Sequence, residues 1–261
     1  MSDISKSLYS MTFGDKNTWE DWHLVPTSRP TFSLPALKDQ SIDIPGANGK
    51  IDLSDALTGY PAYSNRTGSF EFMVVNSGQS LSIDSSSGYS PSSTSAWVDV
   101  YSAIANYLHG QRMKLVCDND PTWYYIGRFT INQWSSDEQY SKITIDYDIE
   151  PFKYSISDSS DLWLWDTFDF NTGIIRTYNK SRLTFDTSGK TFEIIGTNFP
   201  CVPTIFVSTD SILTTPYGTY SLTTGSNKDP LILVYPGVQN WTFKSKSGSG
   251  KAAIYFRERS F

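Results

Sequence analysis

Two histidines, two cysteines and a few closely spaced carboxylates are the side chains of this 261-residue sequence best suited to chemistry. His23 falls in a Trp-rich loop, and His109 in the last turn of a predicted helix, where an imidazole can interact with the helix C-terminus. A Ser/His/Asp triad needs a nucleophile presented on a tight turn, and neither histidine is accompanied by a G-x-S-x-G or comparable context. Cys117 and Cys201 are far apart in sequence, and the four His and Cys residues are too scattered for the usual spacing of zinc ligands. The two cysteines read as buried, reduced thiols. Asp118 with Asp120, and Asp146 with Asp148, are the carboxylate pairs to test against glycoside hydrolysis, which needs two such groups. The first pair flanks a DNDP turn, where Asp commonly bonds the local backbone. The second shares the outward face of a predicted strand, where charge keeps a surface wet. Asp118-Asn119-Asp120 also lacks the glycine and the bidentate glutamate of a calcium loop. No phosphate-binding loop or dinucleotide fingerprint is present. The expectation is therefore no catalytic residue, no metal site and no cofactor. Trp163 and Trp165, two apart in DLWLWDTFDF, would show both rings on one face of an extended chain and form the candidate sugar platform. The competing reading buries them as packing residues.

The elements that must position these groups are mostly strands. Aromatic residues make up 15% of the chain, and with its many Val, Ile and Thr they favour β structure. A short strand is expected at 7–14. Ile42, Asp43 and Ile44 alternate and then meet a Pro45-Gly46 turn. Residues 47–66 look too polar and too interrupted for a core strand, so an arm reaching outward is expected there. A strand at 69–75 puts Phe70, Phe72 and Val74 on one face. One helix is predicted at 94–109: capping residues at 91–94, an apolar stripe at Trp97, Val100, Ile104 and Leu108, and Gly110 as the stop. A hairpin follows at 113–117 and 124–131, then a cleanly alternating strand at 142–149. A Pro- and Ser/Asp-rich stretch then separates two domains, 1–155 and 156–261. The second reads as all β. A hairpin is expected from 182–185 to 191–195 around Ser188-Gly189-Lys190, with further strands at 204–207, 231–235, 240–244 and 252–257.

Charge is uneven. Residues 1–150 hold 10 Lys and Arg against 18 Asp and Glu, a net of −8; residues 151–261 hold 11 against 9, a net of +2. Neither half carries the basic stripe of a nucleic-acid clamp. The opening MSDISKSLYSMTFGDK has no apolar signal-peptide core, and no apolar run approaches the ~20 residues that span a bilayer. The sequence-level expectation is a soluble protein, made in a cytoplasm and free of membrane.

Residues 18–72 carry a more specific pattern. The segment resembles the N-terminal region of distal tail proteins from long-tailed phages and prophages of Gram-positive bacteria. A W-D-W-x-L-x-P-x-S-R-P pattern is matched from Trp19 to Pro30, with Glu20 the first departure. An I-P-G-x-D-G-x-L-D-L turn is matched from Ile44 to Leu53, with Asn48 and Ile51 substituted, and L-T-G-Y-P-x-Y-x-N-R from Leu57 to Arg66. The resemblance implies a mainly β fold: an N-terminal β-sandwich-like domain with one α-helix and a projecting hairpin arm, then a galectin-like β-sandwich. It further implies a virion structural protein at the tail tip. Six copies would form a ring between the tail tube and the adhesion device, with DNA passing through the lumen without specific binding. The implied partners are a second copy of the chain, a tail tube protein, a tail-associated tip protein and receptor-binding or baseplate proteins. Turn formers combined with Tyr and Arg, which are enriched at interfaces, make Ile44, Pro45, Gly46, Asp52, Leu53, Tyr60, Tyr63 and Arg66 the expected oligomer contacts. Carbohydrate binding by the second domain and wall degradation are the alternative functions.

Overall fold

The computed structural model describes residues 9–46, 48–56, 59–75, 95–136, 140–156 and 183–261. It is mainly β with one α-helix among the described residues, and the chain divides into two compact units, residues 1–153 with Phe261 and residues 154–260.

The first unit opens with β1 (Met11–Phe13), β2 (Lys16–Asn17) and β3 (Val25–Pro26). A separate hairpin follows, β4 (Ser41–Asp43) and β5 (Lys50–Asp52). Then come β6 (Arg66–Val75), α1 (Ser95–Leu108), β7 (Gln111–Cys117), β8 (Trp123–Ser136) and β9 (Tyr140–Ile149). Seven strands pair in the order β2-β1-β7-β8-β9-β6-β3, each antiparallel to its neighbours. The period of two in the sequence places the core on one side. Ile143, Ile145, Tyr147 and Ile149 of β9 are buried together with Phe70 and Phe72 of β6, Phe129 of β8 and Leu115 of β7. Ile104 and Leu108 of α1, both 0% exposed, close over this face. A helix of four turns cannot stabilise itself in water, so this packing is what holds it. Gly110 ends it with φ +74°, a conformation that glycine adopts without Cβ strain. The expected caps at 91–94 and the Trp97 side chain lie outside the described residues.

After β10 (Lys153–Ser155), which starts at the boundary, the second unit holds β11 (Leu183–Phe185), β12 (Lys190–Gly196), β13 (Thr204–Val207), β14 (Ser211–Thr215) and β15 (Gly218–Leu222). It continues with β16 (Gly225–Asn227), β17 (Gly237–Ser245), β18 (Gly250–Tyr255) and β19 (Arg259–Ser260). Two four-stranded sheets, β11-β18-β13-β16 and β12-β17-β14-β15, enclose one core. Phe185, Ile205, Val207 and Ile254 face inward from the first sheet; Ile194, Leu213, Trp241 and Phe243 from the second. The Trp241 indole is fully buried, and its Nε1–H donates to Gln239 Oε1 at 3.1 Å. Gln239 in turn donates to the Tyr235 carbonyl at 2.6 Å, so the buried polar atoms of this pair are satisfied.

Two sequence expectations for this unit are corrected, and one hairpin was not expected at all. The segments at 182–185 and 191–195 do not form a hairpin. β11 pairs with β18 and β12 with β17, so the link at 186–189 carries the chain from one sheet to the other. Asp186 Oδ1 accepts the amide hydrogens of Ser188 at 2.8 Å and Gly189 at 3.2 Å, and Gly189 sits at φ +90°. A turn signal marks a reversal; it does not say whether the flanking strands pair in one plane or stack across a core. Residues 231–235 are not a strand. Asp229-Pro230 opens a turn in which Leu231 N–H donates to Asp229 Oδ1 at 2.9 Å and Ile232 N–H to the Asp229 carbonyl at 3.1 Å. Val234 makes an isolated bridge to Cys201. The apolar alternation there is real, since Ile232 and Val234 are buried, but the local turn uses the first amides of the would-be ladder. The β14–β15 hairpin, paired from Ser211↔Leu222 to Thr215↔Gly218, went unpredicted because its Thr- and Ser-rich strands resemble loop sequence.

Candidate functional site

β4 and β5 form a two-stranded sheet of their own, in register Ser41↔Asp52, Ile42↔Ile51 and Asp43↔Lys50. Ile42 and Ile51 oppose each other on one face. Ile44 and Leu53, two positions along each chain, extend the same face, while Asp43, Lys50 and Asp52 alternate to the other. The four aliphatic residues are 54%, 49%, 42% and 41% exposed, in the order Ile42, Ile51, Ile44 and Leu53. Leu37, at the base of the arm, is 50% exposed. There a separate antiparallel bridge, Leu37↔Tyr63, is flanked by Lys38 N–H and Ser64 N–H donating to the Ala62 and Ala36 carbonyls, each at 2.8 Å. Ser54 braces the arm: its Oγ accepts Gln40 N–H at 2.9 Å, and its own N–H donates to Asp52 Oδ1 at 2.9 Å. Hydrogen bonds from Ser54 hold the Asp52 carboxyl below its usual range. An isolated hairpin is marginal in water, and contiguous exposed aliphatic side chains mark an interaction surface. Half-exposed aliphatic groups of this size would each contribute roughly 1 kcal/mol on being covered.

The expected contact residues divide. Ile44, Pro45, Gly46, Asp52 and Leu53 are exposed on the arm, with Gly46 at φ +85° in its turn. Tyr60 is half-buried. Tyr63 is half-buried too, its ring 5.8 Å from that of Phe152 and 5.0 Å from that of Phe261. Arg66 is corrected outright: it is 3% exposed, not a surface contact. Its Nε and Nη2 donate to the Pro151 carbonyl at 2.8 and 2.5 Å, and its guanidinium lies over the rings of Tyr125 and Phe261 at 5.8 and 5.7 Å. Burial lowers its pKa from the usual guanidinium value, although such a group stays protonated at neutral pH. The cause is positional. Arg66 is the first residue of β6, opposite Ile149, on the core-facing side shared with Phe70 and Phe72. Ile42 and Ile51 were not among the sequence candidates. The signal that finds them is the alternation in SID and KID, which becomes meaningful once the two segments pair.

The groups considered for chemistry have local structural partners. Asp118 accepts from Ser10 Oγ, and Asp120 pairs with Lys153 Nζ at 2.9 Å. Asp148 accepts from Asn65 Nδ2 at 2.8 Å. His109 Nδ1 accepts Ile131 N–H at 3.1 Å, next to the β-bulge of β8 between Ile131 and Gln133, rather than engaging its own helix end. The His23 ring meets that of Trp19 edge-on at 6.1 Å. Both cysteines are buried and neither forms a disulfide, and burial, reinforced by the Asp120 and Asp118 charges, pushes the Cys117 thiol up to about 12. A cavity of about 60 Å³ lies among Ser28, Arg29, Pro30, Thr31 and Glu71. That is room for a few waters and far below the ~300 Å³ of a ligand pocket. Among the described residues no three His, Cys, Asp or Glu side chains group as metal ligands, and no helix is long and apolar enough to cross a membrane. Trp163 and Trp165 lie outside the described residues.

No protein-family model and no curated protein sequence matches the chain. A solved structure does: the crystal structure of the SPP1 Dit protein, described as a paradigm of hub adsorption apparatus in phages infecting Gram-positive bacteria. It aligns with a TM-score of 0.59 over 97% of this chain and 100% of that one, at 14% sequence identity. The chain shares the fold of SPP1 Dit. At that identity the likeness speaks for backbone architecture, mainly β with antiparallel sheets, and not for individual side chains.

Proposed function

We propose that this protein is a structural subunit of a phage tail tip, a distal-tail-type hub with no catalytic activity of its own. The observation that carries the reading is the full-length likeness to SPP1 Dit, both units included. The 18–72 sequence pattern supports it independently. In this reading six copies close a ring, and the arm of each subunit lays its Ile42, Ile44, Ile51 and Leu53 face on the next. Such a head-to-tail contact uses two different patches per subunit, as ring closure requires. The ring joins the tail tube on one side to tip and receptor-binding proteins on the other, within the virion. The acidic first unit faces the lumen, where a negative wall repels passing DNA.

The test is light scattering coupled to size exclusion, with negative-stain imaging, on the wild type and on an Ile42→Asp/Ile51→Asp double variant. The wild type is expected to form six-fold rings. The double variant is expected to remain folded by circular dichroism, since both side chains are already half-exposed, and to run as a monomer. Rings that persist undiminished in the folded double variant would remove the arm from the interface. A wild type that forms no ring, alone or with tail proteins, would remove the hub reading itself.

A further inference from the structure

The tip of the β4–β5 hairpin carries the chain's one Asn-Gly dipeptide, Asn48-Gly49. Asparagine before glycine is chemically vulnerable. No side chain on glycine screens its amide nitrogen, so rotation about the asparagine's own ψ and χ1 can bring that nitrogen onto the carboxamide carbon without a clash. A fold suppresses the reaction by burying or hydrogen-bonding either group. Among the described residues neither protection is present. Both residues are exposed, and the hairpin ladder stops at Asp43↔Lys50, one position short of Gly49. Among the described residues, neither the Asn48 carboxamide nor the Gly49 N–H has a hydrogen-bond partner. Gly49 sits at φ +84°, and nothing stands within 4 Å of where a Cβ would be.

We propose that Asn48 is a spontaneous modification site, at which the native hairpin converts asparagine to isoaspartate and aspartate. The Gly49 amide nitrogen attacks Asn48 Cγ. A new N–Cγ bond forms, the Cγ–NH2 bond breaks, and the departing nitrogen takes the amide proton and leaves as ammonia. One water then opens the cyclic imide. Cleavage at the Cγ side restores the ordinary chain with aspartate; cleavage at the α-carbonyl side routes the main chain through Cγ as isoaspartate. Nothing is oxidised or reduced, and water is the only co-reactant. Either product places a new negative charge at the tip, and isoaspartate also lengthens the main chain there by one carbon.

The experiment follows the intact chain at mildly alkaline pH, native and in denaturant, by digestion after lysine and mass mapping of peptide 39–50. The native chain is expected to lose unmodified peptide as fast as the denatured one and faster than any other asparagine-containing peptide. Two products of equal mass should separate, isoaspartate in excess. An Asn48→Gln variant, whose longer side chain closes a less favourable ring, should lose none. Faster reaction at another asparagine, or unchanged loss in Asn48→Gln, would overturn the proposal. The same measurement on the Ile42→Asp/Ile51→Asp variant, in which the arm is not covered by a second copy, separates protection by the fold from protection by assembly. Strong protection there, relative to the denatured chain, overturns the proposal, whereas protection in the wild type alone bears on the ring.

Discussion

Arg66 shows how far a residue's role can depart from its type. In sequence it closes a Gly-, Pro- and Tyr-rich segment and resembles a surface anchor. In the structure it starts β6 on the core side, and its guanidinium is held by one carbonyl, Pro151, and two aromatic rings. Its partners come from residues some 60 to 195 positions away, which no local pattern encodes. A hydrogen bond from a charged donor contributes about 1.5–3 kcal/mol, and the stem adds packing. An Arg66→Met variant keeps much of the stem and removes both donors, so its unfolding free energy is expected to fall by about 2–3 kcal/mol in a urea titration. An unchanged midpoint would show that the Pro151 contact contributes nothing. The arm aliphatics were partly legible: Ile44 and Leu53 fell inside the recognised turn pattern, whereas Ile42 and Ile51 needed the pairing register to bring them onto one face.

At the scale of elements, periodicity was a good guide where one face meets a core. The β9 alternation and the Ile104/Leu108 stripe of α1 were read directly, because burial imposes the period on the sequence. Connections were less legible. The 186–189 link carries a hairpin-like signal and crosses between sheets instead, organised by the Asp186 carboxylate. Hydrogen bonds from Ser188 hold that carboxyl below its usual range. A depressed folded pKa means that the contribution is present above the unfolded value and lost as pH falls through the folded one. Thermal melts should therefore show the wild type losing stability in acid more steeply than an Asp186→Ala variant, which starts lower at neutral pH. Parallel acid profiles for the two proteins would mean that this carboxylate does not organise the link.

For the whole molecule, the fold shared with SPP1 Dit at 14% identity is built of antiparallel sheets, in which alternate residues of each strand face opposite sides. Two separate apolar clusters follow from that pattern, one around Phe129, Ile145 and Leu108, the other around Trp241, Phe243 and Ile205, and no buried residue belongs to both. Removing a buried ring costs about 3–5 kcal/mol, because the cavity collapses only in part. Such a loss acts first on the cluster that contains the ring, since cooperative opening follows contiguous packing. Phe243→Ala should therefore accelerate amide hydrogen exchange across peptides from 183–260, leaving those from 100–149 near their wild-type rates. Phe129→Ala should do the reverse. Equal acceleration in both regions from either variant would show that the two clusters open as one cooperative unit.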